Sequence, residues 1–394
     1  MSNENWIPPV LEGLRAAHLE RWPYVYPRAG GKFLVDGRQY LNFSSNDYLD
    51  LARDPRVISR AADTMCRCGA GAGASRLVTG TLDCHAELEA ALAAFQSSPA
   101  ALVFGSGFLA NVGVISAILG RSDTAFADRL SHATILDGIA LGRAKLHRFR
   151  HNDVGHLASL LAQAAATRRP GDRFLIATES VFSMDGDLAP LEELCDVAGR
   201  YDAMLMVDEA HALGVMGPGG AGLVRAHGLA QFVNVRTGTL SKALGSYGGF
   251  VACSNDLRTL LVQRARSFIY STALPPASAG AALAALEILG STPDLGAKLL
   301  RRANLLRRLL SEAGLAVPPS ESQIIPLVVG ASQRAVRLSE RLKAEGILAP
   351  AIRVPTVPRG TARLRLSVTL AHSEADLQLA AAAIAEAVRL EGLV

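Results

Sequence analysis

The amino-acid sequence predicts an α/β protein with a large domain built on a mostly parallel sheet and a smaller α+β domain after it. Between about Tyr40 and Pro276, short apolar runs alternate with stretches of helical periodicity. Such runs, separated by amphipathic helices, are typical of strands buried in a parallel sheet with helices on both faces. After Pro275-Pro276 the pattern changes to long helices rich in Ala, Leu and Arg, which predicts the second domain.

The same pattern predicts the individual elements. In the large domain we predict strands at Ala100–Phe104 and within 174–178, 203–210 and 248–253. In the small domain we predict helices at 277–289 and 295–313, strands at 324–330 and 363–369, and a closing helix from about Glu374. The predicted boundaries are an N-terminal arm with one helix at 1–39, a large domain at 40–280 and a small domain at 281–394.

Composition and charge disfavour several classes of protein. The 394 residues are 49% hydrophobic, and their net charge of +4 is dispersed along the chain. This charge does not indicate nucleic-acid binding, although it suits an anionic substrate or an acidic carrier protein. The N-terminus lacks the basic and apolar regions of a signal peptide, and five cysteines without framework spacing indicate a reducing compartment. We therefore expect a cytoplasmic protein.

Two segments allow other interpretations. Residues 99–120 carry no charge and are long enough to span a bilayer, but glycines and Asn111 lie in their middle. We interpret them as a buried strand, a glycine turn and a buried helix, and expect no membrane segment. The second segment contains four side chains that could bind zinc. Their C-x-C spacing is unusual, however, and the segment is typical of a helix followed by a glycine-rich loop, so we expect no metal. The four side chains are those of Cys66, Cys68, Cys84 and His85.

Of the lysines, Lys242 has the surroundings that best suit a covalent bond to a ligand. The chain has five lysines, and Lys242 lies in TGTLSKALGSYGG at 237–249, among small and hydroxylated residues. An amine that bonds covalently to a carbonyl ligand must be partly desolvated and open to a planar molecule, which small neighbours allow. A solvent-facing loop lysine is an equally good interpretation of this segment alone.

Asp208 follows an apolar run in LMVDEAHALG, at the predicted carboxyl end of a strand, where α/β proteins bind ligands. A carboxylate there could keep a pyridine nitrogen protonated and so make the ring an electron sink, with His211 reaching a ring hydroxyl. An aspartate that only starts a loop is equally compatible. DEAH at 208–211 also matches the Walker B box of helicase-type ATPases, but no G-x-x-x-x-G-K-[ST] motif accompanies it.

A phosphate site is predicted at GSGFLAN, residues 105–111, where a strand-to-helix turn would aim free backbone N–H groups and a helix dipole at one point. Thr239 could add a hydroxyl. GAGASRLVTG at 71–80 resembles a dinucleotide-binding loop, but it follows a helix rather than a strand, which argues against NAD. His132 in DRLSHAT could stack on a planar cofactor, and Ser183 follows another apolar strand.

Taken in order, these segments resemble the motif series of the α-oxoamine synthases over nearly the whole chain. The resemblance implies the fold-type I architecture with a seven-stranded large domain, pyridoxal 5'-phosphate (PLP) as cofactor, and a homodimer with interfacial active sites. The matching segments are NFSSNDYL (42–49), SGF (106–108), DRLSHA (128–133), ESVFSMDGD (179–187), DEAH (208–211), LSKALG (240–245) and IYSTALPP (269–276).

The resemblance also implies a role for each matching residue. Lys242 would hold PLP covalently and act as the base, Asp208 would pair with the ring nitrogen, and His132 would stack on the ring and help to hold the thioester. His211 and Ser183 would contact the phenolic oxygen. The residues implied for the phosphate are Gly107, Phe108, Thr239 and the partner subunit's Thr272. Those implied for substrate are Arg353, which would take the amino-acid carboxylate, with Asn46 nearby, and Arg21 and Thr356.

Within the family, residues 351–372 are most similar to the members that condense L-alanine with a pimeloyl thioester in biotin synthesis. The acyl carrier would be coenzyme A or acyl-carrier protein. The alternatives are a sister synthase that uses glycine or serine, and a non-catalytic homologue. Three residues depart from the commonest family pattern: Asp50, where glycine is frequent, and Ala212 and Leu213 after DEAH.

Overall fold

The computed structural model describes residues 3–27 and 30–392. They form two compact units. The smaller unit contains the residues up to Ser45, the short segment Met184–Gly186, and the chain from Leu300 onward. The larger unit contains Asn46–Ser183 and Asp187–Leu299.

The described residues in the N-terminal part of the smaller unit form one helix and a hairpin. They are α1 (Ile7–Ala16), β1 (Lys32–Val35) and β2 (Arg38–Asn42). The two strands pair antiparallel, and Asp36 and Gly37 connect them with φ values of 49° and 78°. An Asp-Gly pair in this left-handed conformation forms the tight turn whose twist matches that of a two-residue hairpin.

The larger unit alternates helices and strands as predicted. Its elements are α2 (Pro55–Cys68), α3 (Asp83–Phe95), β3 (Ala100–Phe104), α4 (Gly107–Ile118), β4 (Thr124–Asp128), α5 (Ala133–Gly142), β5 (Lys145–Phe149), α6 (Val154–Ala165), β6 (Phe174–Glu179), α7 (Leu191–Arg200), β7 (Ala203–Asp208), α8 (Leu223–Ala226), β8 (Val235–Thr239), β9 (Gly249–Cys253), α9 (Asn255–Arg264), α10 (Arg266–Ile269) and α11 (Pro276–Ser291).

The strands of the larger unit form one seven-stranded sheet in the order β3-β9-β8-β7-β6-β4-β5. β9 runs antiparallel to both of its neighbours, and the other pairs are parallel. This confirms the predicted mostly parallel sheet. Because β4, β6, β7 and β8 point the same way, their last residues lie at one edge of the sheet, where polar side chains collect: Asp128, Glu179, Asp208 and Thr239.

The central strands of the sheet are buried, and most of them are apolar on both faces. Every residue of β3, β6, β8 and β9 is buried. Helix α4 packs Val114 and Ile115, both fully buried, into the core cluster that also contains Leu102 of β3. Burying one such side chain contributes about 1.5–3 kcal/mol. Helix α11 packs against α2 and α3, and the whole helix belongs to the larger unit, although the boundary predicted near residue 280 lies inside it.

The C-terminal part of the chain continues with α12 (Leu295–Glu312), β10 (Ile324–Gly330), α13 (Ser332–Ala344), β11 (Ile347–Leu348), β12 (Ala351–Ile352), β13 (Ala362–Ser367) and α14 (Glu374–Leu390). The smaller unit has two three-stranded sheets, β1-β2-β11 and β10-β13-β12. Helix α14 begins where predicted because Ser373 and Asp376 form a reciprocal capping box.

Residues 99–120, which are long enough to cross a bilayer, form β3, a turn and α4. Of the helices in the described part of the chain, none has the length and apolar composition needed to span a membrane. Across residues 3–27 and 30–392, no cluster of three or more His, Cys, Asp or Glu side chains is arranged to hold a metal ion.

Candidate active site

The first turn of α4 presents free backbone N–H groups. Ser106 caps the helix in an extended conformation, and its hydroxyl accepts the N–H of Leu109 at 3.2 Å. The N–H groups of Gly107 and Phe108 precede the first intrahelical bond, so both point out of the helix end. Gly249 of β9 lets this end approach the sheet, because a Cβ there would lie 2.4 Å from the backbone nitrogen of Gly107. The predicted phosphate turn therefore has the geometry of an anion site.

Lys242 and His211 form a polar pair in the larger unit. Lys242 Nζ lies 2.7 Å from His211 Nε2, and His211 Nδ1 lies 2.6 Å from the hydroxyl of Tyr48. His211 is buried, and Lys242 is partly buried in the turn after β8. Since both ring nitrogens of His211 are used, the imidazole accepts a hydrogen bond on one side and donates on the other. This arrangement fixes the lysine amine and the imidazole relative to each other.

Asp208 is connected to His132 through two intervening side chains. Asn111 Nδ2 donates to Asp208 Oδ2 at 2.7 Å and to Thr134 Oγ1 at 2.9 Å. Thr134 in turn bonds to His132 Nδ1 through its hydroxyl, at 2.9 Å, and through its backbone N–H, at 3.3 Å. Nδ1 is therefore an acceptor, and the neutral imidazole carries its proton on Nε2.

Burial lowers the pKa of His132, and the charge of Lys242 acts in the same direction, against the opposing effect of Asp208. The ring is therefore neutral near pH 7. His132 immediately precedes α5, as its N-cap residue. A neutral, partly exposed imidazole at this position is suited to stacking on a planar ligand.

Glu179 is a buried carboxyl side chain beside Asp208 that the sequence did not single out. The two residues are paired across β6 and β7. Burial and the charge of Asp208 raise the pKa of Glu179 to about 8, although the backbone N–H groups of His132 and Ser183 both bond to its carboxylate. Glu179 therefore holds the backbone of two segments whose side chains were predicted to reach the cofactor.

These groups line one cavity of about 220 Å³ within the larger unit. It combines a helix N-terminus, a lysine, a buried aspartate and two histidines, which fits PLP: an anion site for the phosphate, an amine for the aldehyde and a carboxylate for the ring nitrogen. Asn111 Oδ1 lies buried there without a hydrogen-bond partner. The predicted residues in the lining are Gly107, Phe108, His132, Asp208, His211, Thr239 and Lys242.

Three other predicted residues of the larger unit do not line this cavity. Ser183 is buried in the segment after β6, and its backbone N–H bonds to Glu179. Asn46 accepts a hydrogen bond from the hydroxyl of Tyr48 at 3.2 Å. Thr272 is exposed and forms an isolated antiparallel bridge with Ser75.

The remaining predicted substrate residues belong to the smaller unit. Arg21 and Arg353 line a second cavity, of about 360 Å³, together with Trp22 and Tyr24. Arg21 donates to the carbonyl of Val354 at 3.0 Å, and Arg353 donates to backbone carbonyls of the N-terminal arm. Thr356 is exposed, and its N–H bonds to the carbonyl of Arg353. Burial, followed by the charge of Arg21, lowers the pKa of Arg353.

Four residues of the site were not predicted from the sequence: Tyr48, Asn111, Thr134 and Glu179. Tyr48 and Glu179 lie inside the segments NFSSNDYL and ESVFSMDGD. Their position in these motifs could have identified them as candidate site residues. Asn111 is four residues after Gly107, on the same face of α4, which could have placed it beside the predicted phosphate turn. The departure at Asp50 has a backbone explanation, since its φ of 57° is left-handed, a conformation that glycine adopts freely and aspartate tolerates.

Comparison with known proteins agrees with this geometry. The family model for class I and II aminotransferases matches residues 38–384. An 8-amino-7-oxononanoate synthase from Anaeromyxobacter dehalogenans is 48% identical over 382 residues, covering 97% of this chain and 95% of that protein. A synthase of the same name from Francisella tularensis has a TM-score of 0.77 at 29% identity, covering 90% of this chain and 99% of that one.

A PLP-containing structure is also similar. A serine palmitoyltransferase variant from S. paucimobilis, solved with a bound PLP–myriocin adduct, has a TM-score of 0.92 at 29% identity and covers 99% of this chain and 98% of that one. The fold, the cavity and the near full-length similarity agree with the order of motifs in the sequence. The chain therefore belongs to the class I and II aminotransferase family and, within it, to the α-oxoamine synthases.

Proposed function

We propose that this protein is a PLP-dependent C-acyltransferase that condenses L-alanine with a pimeloyl thioester, releasing CO₂ and the free carrier thiol and forming 8-amino-7-oxononanoate for biotin synthesis. The observation that carries the proposal is the single cavity in which Lys242, Asp208, His132 and the first turn of α4 meet. The choice of substrates is supported by the 48% identity to a synthase of this name over 97% of the chain.

Residues of the cavity, together with Ser183 and the partner subunit's Thr272, would supply the contacts that PLP requires. We assign Lys242 to the covalent link, Asp208 to the ring nitrogen, and His211 with Ser183 to the phenolic oxygen. His132 would cover one face of the ring. Bound PLP supplies an electron sink that stabilises negative charge on the amino-acid Cα. The residues assigned to the phosphate are Gly107, Phe108, Thr239 and the partner subunit's Thr272.

The chain's own groups then handle the proton and the substrate carboxylate. Lys242 Nζ, released from its covalent role when alanine binds, would take the Cα proton, a general-base step worth about 10²–10⁴-fold. His211 Nε2, which lies 2.7 Å from that amine, would pass to the phenolic oxygen when PLP binds, while Nδ1 keeps its bond to Tyr48. Arg353 would hold the carboxylate of alanine in two parallel hydrogen bonds, with Asn46, Arg21 and Thr356 as further substrate contacts. His132 would help to hold the thioester.

The C–C bond would form between the alanine Cα and the thioester carbonyl carbon as the C–S bond breaks. The carbon atom lost as CO₂ is the carboxylate carbon of alanine. The acyl carrier, coenzyme A or acyl-carrier protein, and the homodimeric assembly with interfacial sites belong to this proposal.

A second candidate is a sister synthase that uses serine, since the chain is also similar in fold to serine palmitoyltransferase. Turnover with glycine, L-alanine, L-serine and D-alanine against pimeloyl, acetyl, succinyl and palmitoyl thioesters separates the candidates. We expect product and CO₂ only from L-alanine with a pimeloyl thioester. A preference for serine with palmitoyl thioester would replace the proposal, and the absence of a PLP absorbance band would indicate a non-catalytic homologue.

A further inference from the structure

His151, in the segment between β5 and α6, lies between two carboxylates and is not part of the cavity lining. Its Nδ1 lies 3.0 Å from Asp128 Oδ1, and its Nε2 lies 2.7 Å from Asp187 Oδ2. An ionised carboxylate only accepts hydrogen bonds, so both ring nitrogens must donate, and an imidazole with two N–H groups is a cation. The geometry therefore makes His151 a charged bridge.

The electrostatic surroundings agree with this assignment. Burial acts to lower the pKa of His151, but the hydrogen bonds and charges of Asp128 and Asp187 outweigh burial and raise it to about 10. The carboxylate of Asp128 is fully buried, whereas the side chains of His151 and Asp187 are 27% and 28% exposed. The bridge is therefore charged at neutral pH and partly shielded from solvent.

One end of the bridge holds the turn that presents His132. Asp128 is the last residue of β4, and its Oδ1 accepts the N–H of Leu130 at 2.7 Å as well as the bond from His151. Its Oδ2 accepts the N–H of Asn152 at 2.8 Å. The turn from Asp128 to His132 is thus tied at its first residue to His151 and Asn152, and at its last residue to Glu179.

The other end of the bridge holds the segment that presents Ser183. The backbone carbonyl of Asp187 accepts the N–H of Phe182, next to Ser183, at 3.0 Å. Asn152 Nδ2 also donates to Asp187 Oδ2 at 3.0 Å, and the His151 ring packs edge-on against Phe182 with 4.4 Å between centroids. The segments carrying His132 and Ser183 are consequently joined twice, by Glu179 and by His151.

We infer that His151 is a positioning residue: as an imidazolium between Asp128 and Asp187, it sets the separation of the turn that carries His132 and the segment that carries Ser183. It acts on the bound cofactor through those two residues and contacts neither cofactor nor substrate itself. The inference rests on the proposed PLP site. If the wild-type protein binds no PLP, the proposed function fails. If the wild-type protein binds PLP and turns over, the experiment below tests His151 alone.

The experiment compares holoenzymes carrying His151→Gln, which keeps a donor but removes the charge, and His151→Arg, which keeps the charge and several donors. The matched control is His227→Gln, because His227 also bonds to a carboxylate, Glu192 at 3.0 Å, but both side chains are largely exposed. For each we would measure the circular dichroism of bound PLP, the dissociation constant of PLP, and kcat and KM for alanine.

We expect His151→Gln to reduce the circular-dichroism band and to lower kcat about 10-fold, since loosening a support displaces the groups that orient the reactants. KM for alanine should change less than kcat. His151→Arg should restore most of the band, and His227→Gln should match wild type. An unchanged band and kcat in a folded His151→Gln, with only the melting temperature lowered, would overturn the inference.

A double-mutant cycle isolates the route of the effect. If His151 acts mainly through His132, adding His151→Gln to His132→Ala should change kcat by less than about twofold, because coupled residues are not additive. A full effect of His151→Gln in the His132→Ala background would contradict that route. If His151→Gln does not fold, His151→Arg still decides: loss of the PLP band in a folded Arg variant would count against the charged bridge.

Discussion

The cavity of the larger unit and the arginine pair of the smaller unit are organised differently. In the cavity, the charged and polar side chains bond to one another: Lys242 to His211, and Asp208 to Asn111. In the smaller unit, Arg21 and Arg353 bond instead to backbone carbonyls of the chain around them. The first set is mutually constrained and largely buried, whereas the second is more exposed and bonded to main chain.

This difference separates a prearranged site from one that must exchange partners. Side chains that hold each other in place, such as Asn111 and Asp208, cost little reorganisation when a ligand binds, which favours tight and oriented binding. An arginine bonded to carbonyls has to release them before it can hold a carboxylate in two parallel hydrogen bonds. We therefore expect larger losses from substitutions in the cavity than from substitutions of the arginines.

The strongest test of the prearranged cavity is Lys242→Ala, which removes both the covalent link and the base. We expect turnover to fall by more than about 10³-fold while the protein stays folded. Lys145→Ala, an exposed lysine at the start of β5, is the control and should behave as wild type. Multiple turnovers by Lys242→Ala above that level would refute the assignment. PLP binding alone is not decisive, since the phosphate site and Asp208 remain.

Asp208→Asn keeps the shape of the side chain but removes the charge assigned to the ring nitrogen. Turnover should fall by at least about 10²-fold, equivalent to roughly 2.7 kcal/mol in the barrier. The control is Asp202→Asn, since that side chain is 97% exposed. Activity within a few-fold of wild type would mean that Asp208 does not pair with the ring.

Arg353→Ala tests the more exposed site. Losing one partner of a buried charge pair costs about 2–5 kcal/mol, and the partial exposure of Arg353 favours the lower end, so alanine should bind roughly 30-fold more weakly. Arg353→Lys should not restore the affinity, because an ammonium cannot form the two parallel bonds. PLP binding should be unaffected. Titration of alanine, followed by the absorbance of bound PLP, measures the effect, with the exposed Arg359→Ala as control.

The smallest expected effect concerns the pH dependence of stability. His151 has a folded pKa of about 10 against an ordinary value of 6.5, so its protonation stabilises the folded state. This contribution is complete below pH 6.5 and is lost as the pH rises toward 10. Between these values the melting temperature of wild type should fall by roughly 2 °C more than that of His151→Gln, a small shift because the side chain is partly solvated. Parallel melting curves would show that the bridge does not contribute.

The sequence by itself determined the α/β class, the strands and helices that it predicted, and the residues whose motifs are short and local. The buried strands are recognisable because both faces are apolar, and α4 and its free N–H groups follow from a glycine turn after such a strand. Asp208 could be singled out because it ends an apolar run, as the last residue of β7, and Lys242 because it lies among small and hydroxylated residues.

Only the tertiary structure decided which polar groups meet. Tyr48 bonds to His211 across 163 positions of the chain, and Asn111 bonds to Asp208 across 97. Local periodicity reports which face of an element is buried, but it does not report which distant side chain lies opposite. The bridge from Asp128 through His151 to Asp187 was not predicted for the same reason. Sheet order brings its segments together, and the imidazole is charged because a carboxylate lies at each ring nitrogen.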